Sequence, residues 1–172
     1  MIAEWLQLDG FLTQTNLPVG VSPAGGRNEA DVVGARIKEG TLEIRHIETG
    51  GLAGGRNSTD SIKNKFADWI KEHVTGHFKD TLSFEGPCTY RTLYVATFWA
   101  APVIQDLKEA GVEVVRMPDF IRDKVLPTVQ KGKENLARRL RMKSPRATLP
   151  QSLWLLQMLD HLEAQHMLRK EP

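Results

Sequence analysis

A single cysteine, Cys88, stands in 172 residues, so the chain has no internal disulfide framework and no thiolate metal cluster. That scarcity fits a reducing compartment. Long apolar runs are missing too: no window approaches about 18 uninterrupted apolar residues. The first stretch, MIAEWLQLDGFL, carries Glu4 and Asp9 and lacks a basic start, so neither a membrane span nor a leader is expected. An excess of charge of one sign is lacking as well. A net charge of +2 is too small to imply a nucleic-acid partner by itself, and such a partner must be argued from where Lys and Arg cluster. There is no internal repeat. These absences lead to the expectation of a soluble, cytoplasmic protein with no membrane partner. A hydrophobic content of 41% over this length supports one substantial core rather than two.

What is present reads as α/β. Trp5, Leu8 and Leu12 recur at helical spacing and predict an opening amphipathic helix ending near Gly10. TQTNLPVGV follows as an extended segment. ADVVGARI and TLEIRHIE, separated by Lys-Glu-Gly, predict a hairpin, since both are short, β-branched and bounded by turn residues. STDSIKNKFADWIKEHVTGHF predicts a helix behind a Ser/Thr/Asp cap, with Ile62, Phe66, Trp69, Ile70 and His73 at three- and four-residue steps. The second half alternates: strand TYRTLYVATF, helix APVIQDLKEAG closed by Gly111, strand VEVVRM, helix PDFIRDKVLPTVQ. Short connections between them argue for a parallel pair covered by helices. The expected fold is a mixed β-sheet flanked by helices over residues 1–130, then a basic linker or helix over 131–150 and an amphipathic C-terminal helix over 151–172.

The two hairpin segments carry acids where buried strands usually have none. Alternation puts Glu43 and Arg45 on one face of TLEIRHIE, and Leu42, Ile44, His46 and Glu48 on the other. Asp31 on the partner strand falls across from the far end, near Arg45 to Glu48. Carboxylates that converge repel unless a cation joins them, and hard oxygen donors of this kind suit Mg²⁺. A nearby cationic side chain can then neutralise charge developing on a phosphorane. Those parts serve metal-assisted phosphodiester hydrolysis.

Helix with Glu4, hairpin with Asp31, then Glu43-Ile44-Arg45 on the next strand and a following helix resembles the core of the PD-(D/E)XK, or restriction-endonuclease-like, nuclease superfamily. The resemblance covers roughly the first 125 residues by element order. It implies an acid from the first helix at Glu4, the hairpin aspartate at Asp31 and the acid-x-Lys triplet at Glu43 and Arg45, with Asp31 and Glu43 holding Mg²⁺ or Mn²⁺ and Glu4 assisting through water. The chain departs from the pattern in two places. Ala30 stands before Asp31, and Arg45 fills the lysine slot, where a guanidinium cannot serve as a base. Lys63 or Lys65, on the helix after the loop, is the candidate for the missing ammonium group. If Glu48 or His46 points inward instead of Glu43, the alternate face of the strand carries the site.

Other signals are weaker. His73 and His77 lie four apart on a helix, as zinc would require, but no third ligand is evident. GGLAGGRN has phosphate-loop glycine spacing but Arg56 and Asn57 where Lys and Ser/Thr are needed. Arg56 and Lys63 are expected to touch nucleic-acid phosphates. So are Arg138, Arg139 and Arg141, from a basic run starting at Lys131 whose single acid is Glu134. The closing helix carries Leu153, Trp154, Leu156, Leu159 and Leu162, a stripe that packs on the domain or on a second copy, so a homodimer is a candidate assembly. Two functions are therefore expected to compete: a Mg²⁺-dependent DNA endonuclease, and a catalytically inactive nuclease-like module that binds nucleic acid or protein.

Overall fold

The computed structural model describes residues 1–21, 27–52, 56–99, 101–139 and 149–165. It is α/β: a five-stranded mixed sheet with flanking helices, and a C-terminal helix. The chain divides into two units, Phe11–Met117 and a second made of Met1–Gly10 with Pro118–Pro172.

The first of these holds the whole sheet. Strand β1 is Leu12–Val21, β2 is Arg27–Lys38, β3 is Thr41–Leu52, β4 is Cys88–Trp99 and β5 is Glu113–Arg116, in the order β1-β2-β3-β4-β5. β1, β2 and β3 are antiparallel, and β3, β4 and β5 are parallel. Parallel neighbours need a crossover, and helices provide both. Helices α2 (Arg56–Lys65) and α3 (Asp68–Leu82) connect β3 to β4, and α4 (Ala101–Glu109) connects β4 to β5. Gly111 ends the α4 connection as expected, with φ at +75°, a conformation cheap only for glycine.

The β2–β3 turn fixes everything downstream of it. Glu39 and Gly40 are its two central residues, with φ at 51° and 73°, the type I′ pattern that matches strand twist. Lys38 then pairs with Thr41, and the ladder runs through Arg36 with Glu43 to Val32 with Ile47. One face of this hairpin is apolar where it meets α3: Val33, Ala35, Leu42 and Ile44 pack with Ile70, Val74 and Phe78. Each of these side chains larger than Ala35 contributes on the order of 2 kcal/mol when removed from water. A second cluster joins Ile62 and Phe66 to Tyr94 and Ala96 of β4 and to Leu107 and Val112.

The spacing that predicts one helix from Ser58 to Phe78 covers two. Phe66 turns into the core, Ala67 leaves helical dihedrals at φ −58° and ψ 151°, and Asp68 opens α3, where it pairs with Lys71 at 2.8 Å. α2 therefore ends at Lys65.

In the other unit, α1 (Ile2–Leu8) lies with a long C-terminal helical stretch. That stretch runs as α5 (Met117–Phe120), a π-helical segment Ile121–Val125, and α6 (Leu126–Arg139), so the basic run begins inside α6. Trp5 donates its indole N–H to Thr128 Oγ1 at 3.0 Å and stacks edge-on with Phe120 at 5.0 Å. α7 (Trp154–Ala164) buries Leu156 and Leu159. Among the described residues, no helix is long and apolar enough to cross a membrane.

Candidate active site

Counting on from Val32 and Ile47 brings Asp31 level with Glu48, and their side chains meet. Asp31 Oδ2 accepts the Thr49 backbone N–H at 2.9 Å and the Thr49 hydroxyl at 3.2 Å. Glu48 Oε1 accepts the Asp31 backbone N–H at 3.1 Å and is 2.7 Å from His46 Nε2. Each carboxylate thus has one oxygen tied to the scaffold. The remaining oxygens face one ammonium group. Lys65 Nζ lies 3.5 Å from Asp31 Oδ1 and donates to Glu48 Oε2.

Burial sharpens the electrostatics. Glu48 is fully buried, while Asp31 is 30% exposed, so the cluster opens to solvent on the aspartate side. Burial opposes the charge on Lys65, but the Glu48 carboxylate, and then Asp31, outweigh it and hold the ammonium above its ordinary 10.5. Lys65 is therefore a fixed cation at neutral pH rather than a base.

Both tyrosines of the chain line the same region from β4. Tyr90 reaches His46 Nδ1 with its hydroxyl at 2.9 Å. Burial chiefly, reinforced by the Glu48 charge, pushes the Tyr90 phenol well above its usual range, so it stays protonated. Burial also raises Tyr94, with the Lys65 charge opposing. A Cβ at Gly50 would sit 2.6 Å from the Tyr94 hydroxyl, so glycine is needed there for close approach. The fully buried His46 ring packs edge-on against Phe66 at 5.0 Å. Among the described residues, no buried side-chain nitrogen or oxygen lacks a partner.

The expected convergence of Asp31 and Glu43 does not occur. Glu43 sits opposite Arg36, five residues along β2 from Asp31, and the two form an ion pair at 2.7 Å. Strand alternation turns Glu43 to the face away from Glu48. Arg45 shares that face, its guanidinium 4.7 Å from the Phe11 ring centroid, with Arg36 at 4.3 Å from the same ring. This is a cation–π cluster. Arg36 chiefly, by its hydrogen bond, also holds the Glu43 carboxyl below its ordinary 4.5. Glu43 and Arg45 thus belong to a packed ion-pair face, and the alternate face, with Glu48 and His46, accompanies Asp31. Of the two candidate lysines, Lys65 joins the carboxylates; Lys63 is half-buried one turn-fraction earlier on α2.

Glu4 lies in the other unit, where its Oε2 accepts the Leu156 backbone N–H at 3.1 Å near the start of α7. It thereby satisfies one of the orphan donors of that helix. Arg56 opens α2 and Arg139 closes α6, with side chains outside the described ones; Arg138 is exposed on α6, and Arg141 lies outside the described residues. Within the basic run, Lys133 is paired with Asp160 at 2.8 Å. His73 and His77 bond back to β1, at Pro18 O (3.1 Å) and Gln14 Oε1 (2.7 Å), and so fasten that strand to α3.

Compared with known proteins, the chain matches no family model and no curated sequence. The site therefore has to speak through its chemistry. Two anchored carboxylates each direct one oxygen at a single ammonium group, and carboxylate oxygens are hard donors. The sequence signal for Glu48 was the two-residue Glu39-Gly40 turn: seven residues back from Lys38 is Asp31 (38 − 31), and seven forward from Thr41 is Glu48 (48 − 41).

Proposed function

We propose that the protein is a metal-dependent hydrolase of nucleic-acid phosphodiester bonds, acting on DNA, with Asp31 Oδ1 and Glu48 Oε2 holding Mg²⁺ or Mn²⁺. The observation that carries this reading is the three-residue cluster itself: two pinned carboxylates on adjoining strands and an ammonium group arriving from a helix. It preserves the chemistry of the resemblance drawn from the sequence while shifting the triplet to Glu48-Thr49-Gly50. Glycine occupies the lysine slot of that triplet, and Lys65 supplies the charge.

A divalent ion bound there would polarise a phosphoryl oxygen and acidify a coordinated water. The chain's own residues do the rest. Thr49 holds Asp31 through two hydrogen bonds, so that carboxylate enters the reaction already oriented. Lys65, fixed as a cation, offsets the negative charge that builds on the phosphorane oxygens. Because it stays protonated, the proton of the attacking water goes to solvent or to the phosphate itself.

The test is cleavage of supercoiled and linear DNA in Mg²⁺ or Mn²⁺. Asp31→Asn, Glu48→Gln and Lys65→Met should each lower the rate by roughly a hundredfold or more, and Glu43→Gln should leave it within about twofold. Cleavage that persists in Glu48→Gln, or disappears in Glu43→Gln, rejects the assignment.

A second reading, a silent nuclease-like binding module, draws on one observation: Lys65 is paired with both carboxylates, on the same two oxygens an ion would need. Salt-sensitive DNA binding by a wild-type protein that never cleaves would favour it.

A further inference from the structure

With the imidazole neutral, the hydrogen-bonded chain behind the carboxylate pair runs in one direction. An ionised carboxylate only accepts, so the 2.7 Å contact between Glu48 Oε1 and His46 Nε2 needs the proton on Nε2. A neutral imidazole then has a bare Nδ1, and the Tyr90 hydroxyl 2.9 Å away must be its donor. Tyr90 thus donates to His46, and His46 donates to Glu48. Both His46 and Glu48 are fully buried, so water cannot replace a lost partner. Without the imidazole N–H, Glu48 Oε1 would keep only the Asp31 backbone donor, at 3.1 Å. One bond lets a carboxylate swing about it; two from different directions do not.

The same ring packs on the residue next to the cation. Phe66 packs edge-on against His46 at 5.0 Å, and Phe66 directly follows Lys65. His46 therefore touches the supports of both Glu48 and Lys65.

We infer that His46 and Tyr90 are positioning residues for the metal site: Tyr90 selects the imidazole tautomer that grips Glu48 Oε1, and this aims Glu48 Oε2 at the divalent ion. The inference rests on the metal-binding reading above. Partners of this kind behind a metal ligand commonly set affinity as much as the ligand does.

The variants separate hydrogen bonding from packing. Tyr90→Phe keeps the ring and removes the donor. His46→Leu removes the grip on Glu48, and His46→Gln returns an N–H close to the Nε2 position. Two measurements read them: ¹⁵N shifts of the His46 ring, and Mn²⁺ affinity by calorimetry in the full chain. Wild type should show the Nε2–H tautomer, and Tyr90→Phe and His46→Leu should bind Mn²⁺ roughly ten- to hundredfold more weakly. His46→Gln should recover to within about threefold of wild type. A wild-type ring protonated on Nδ1, or Tyr90→Phe binding Mn²⁺ as wild type does, overturns the inference while leaving the metal site standing. A wild-type protein with no Mn²⁺ affinity overturns the metal site and this inference together. Should His46→Leu fail to fold, the isosteric Tyr90→Phe decides the matter alone.

Discussion

Glu43 and Glu48 lie five residues apart on one strand, and their environments are opposite. Glu43 is 31% exposed and paired with one arginine, whereas Glu48 is fully buried and held by His46, Lys65 and a backbone N–H. Glu43→Gln should therefore cost no more than about 1 kcal/mol, as exposed pairs do. Glu48→Gln should cost about 3 kcal/mol, because it strands a partly buried ammonium beside an amide. Chemical denaturation of the two variants measures the difference. The pH dependence follows the same division. Lys65 is raised in the fold, so its contribution is whole below 10.5 and is lost as pH climbs through the folded value. Arginine keeps its charge there, so Lys65→Arg should lose less stability than wild type above 10.5, as denaturant midpoints would show. The alternation of faces along TLEIRHIE was legible in the sequence, including the company of His46 with Glu48. Which face met Asp31 follows only when the ladder is counted out from the Glu39-Gly40 turn, whereas the local acid-x-cation triplet at Glu43 points to the other face.

At the scale of elements, the hairpin and the α2–α3 break matter most. The hairpin turn puts a glutamate, Glu39, at positive φ, which costs a non-glycine residue something asparagine pays less of. Glu39→Asn should raise stability by about 0.5 kcal/mol and leave the β2–β3 register unchanged, readable from the melting temperature and from amide exchange along β3. The hairpin, the parallel pair and the crossover helices were visible beforehand because hydrophobic period and turn residues are local. The break at Ala67 was not, since Ile62, Phe66 and Ile70 keep helical spacing straight through it. It arises because Phe66 packs into the β4 cluster and against His46. Phe66→Ala should cost about 3 to 5 kcal/mol and, by loosening the end of α2, weaken whatever Lys65 does.

Over the whole molecule, the least legible feature is the company kept by the first ten residues. The sequence places a helix there correctly but gives no sign that it clusters with residues from Pro118 onward. Contacts such as Trp5 with Thr128, 123 positions apart, leave no trace in local spacing. Glu4 illustrates the result, for an acid expected at a metal site accepts a helix N–H near Leu156. Glu4→Ala should lower stability by about 1 kcal/mol, the usual cost of a lost helix cap, measured by thermal unfolding. The exposed Arg138 on α6 bears on the proposed polyanionic partner. If the run contacts phosphates, Arg138→Ala should weaken DNA binding equally across sequences and reduce the log-log salt slope by about one.

Gly50 restricts what protein engineering can do with this scaffold. Any side chain at that position runs into the Tyr94 hydroxyl. Installing a lysine on the strand, two places after Glu48, would need the Tyr94 side chain to shift or a smaller residue at 94. Shared occupancy by a glycine and a tyrosine thus keeps the positive group on its helix.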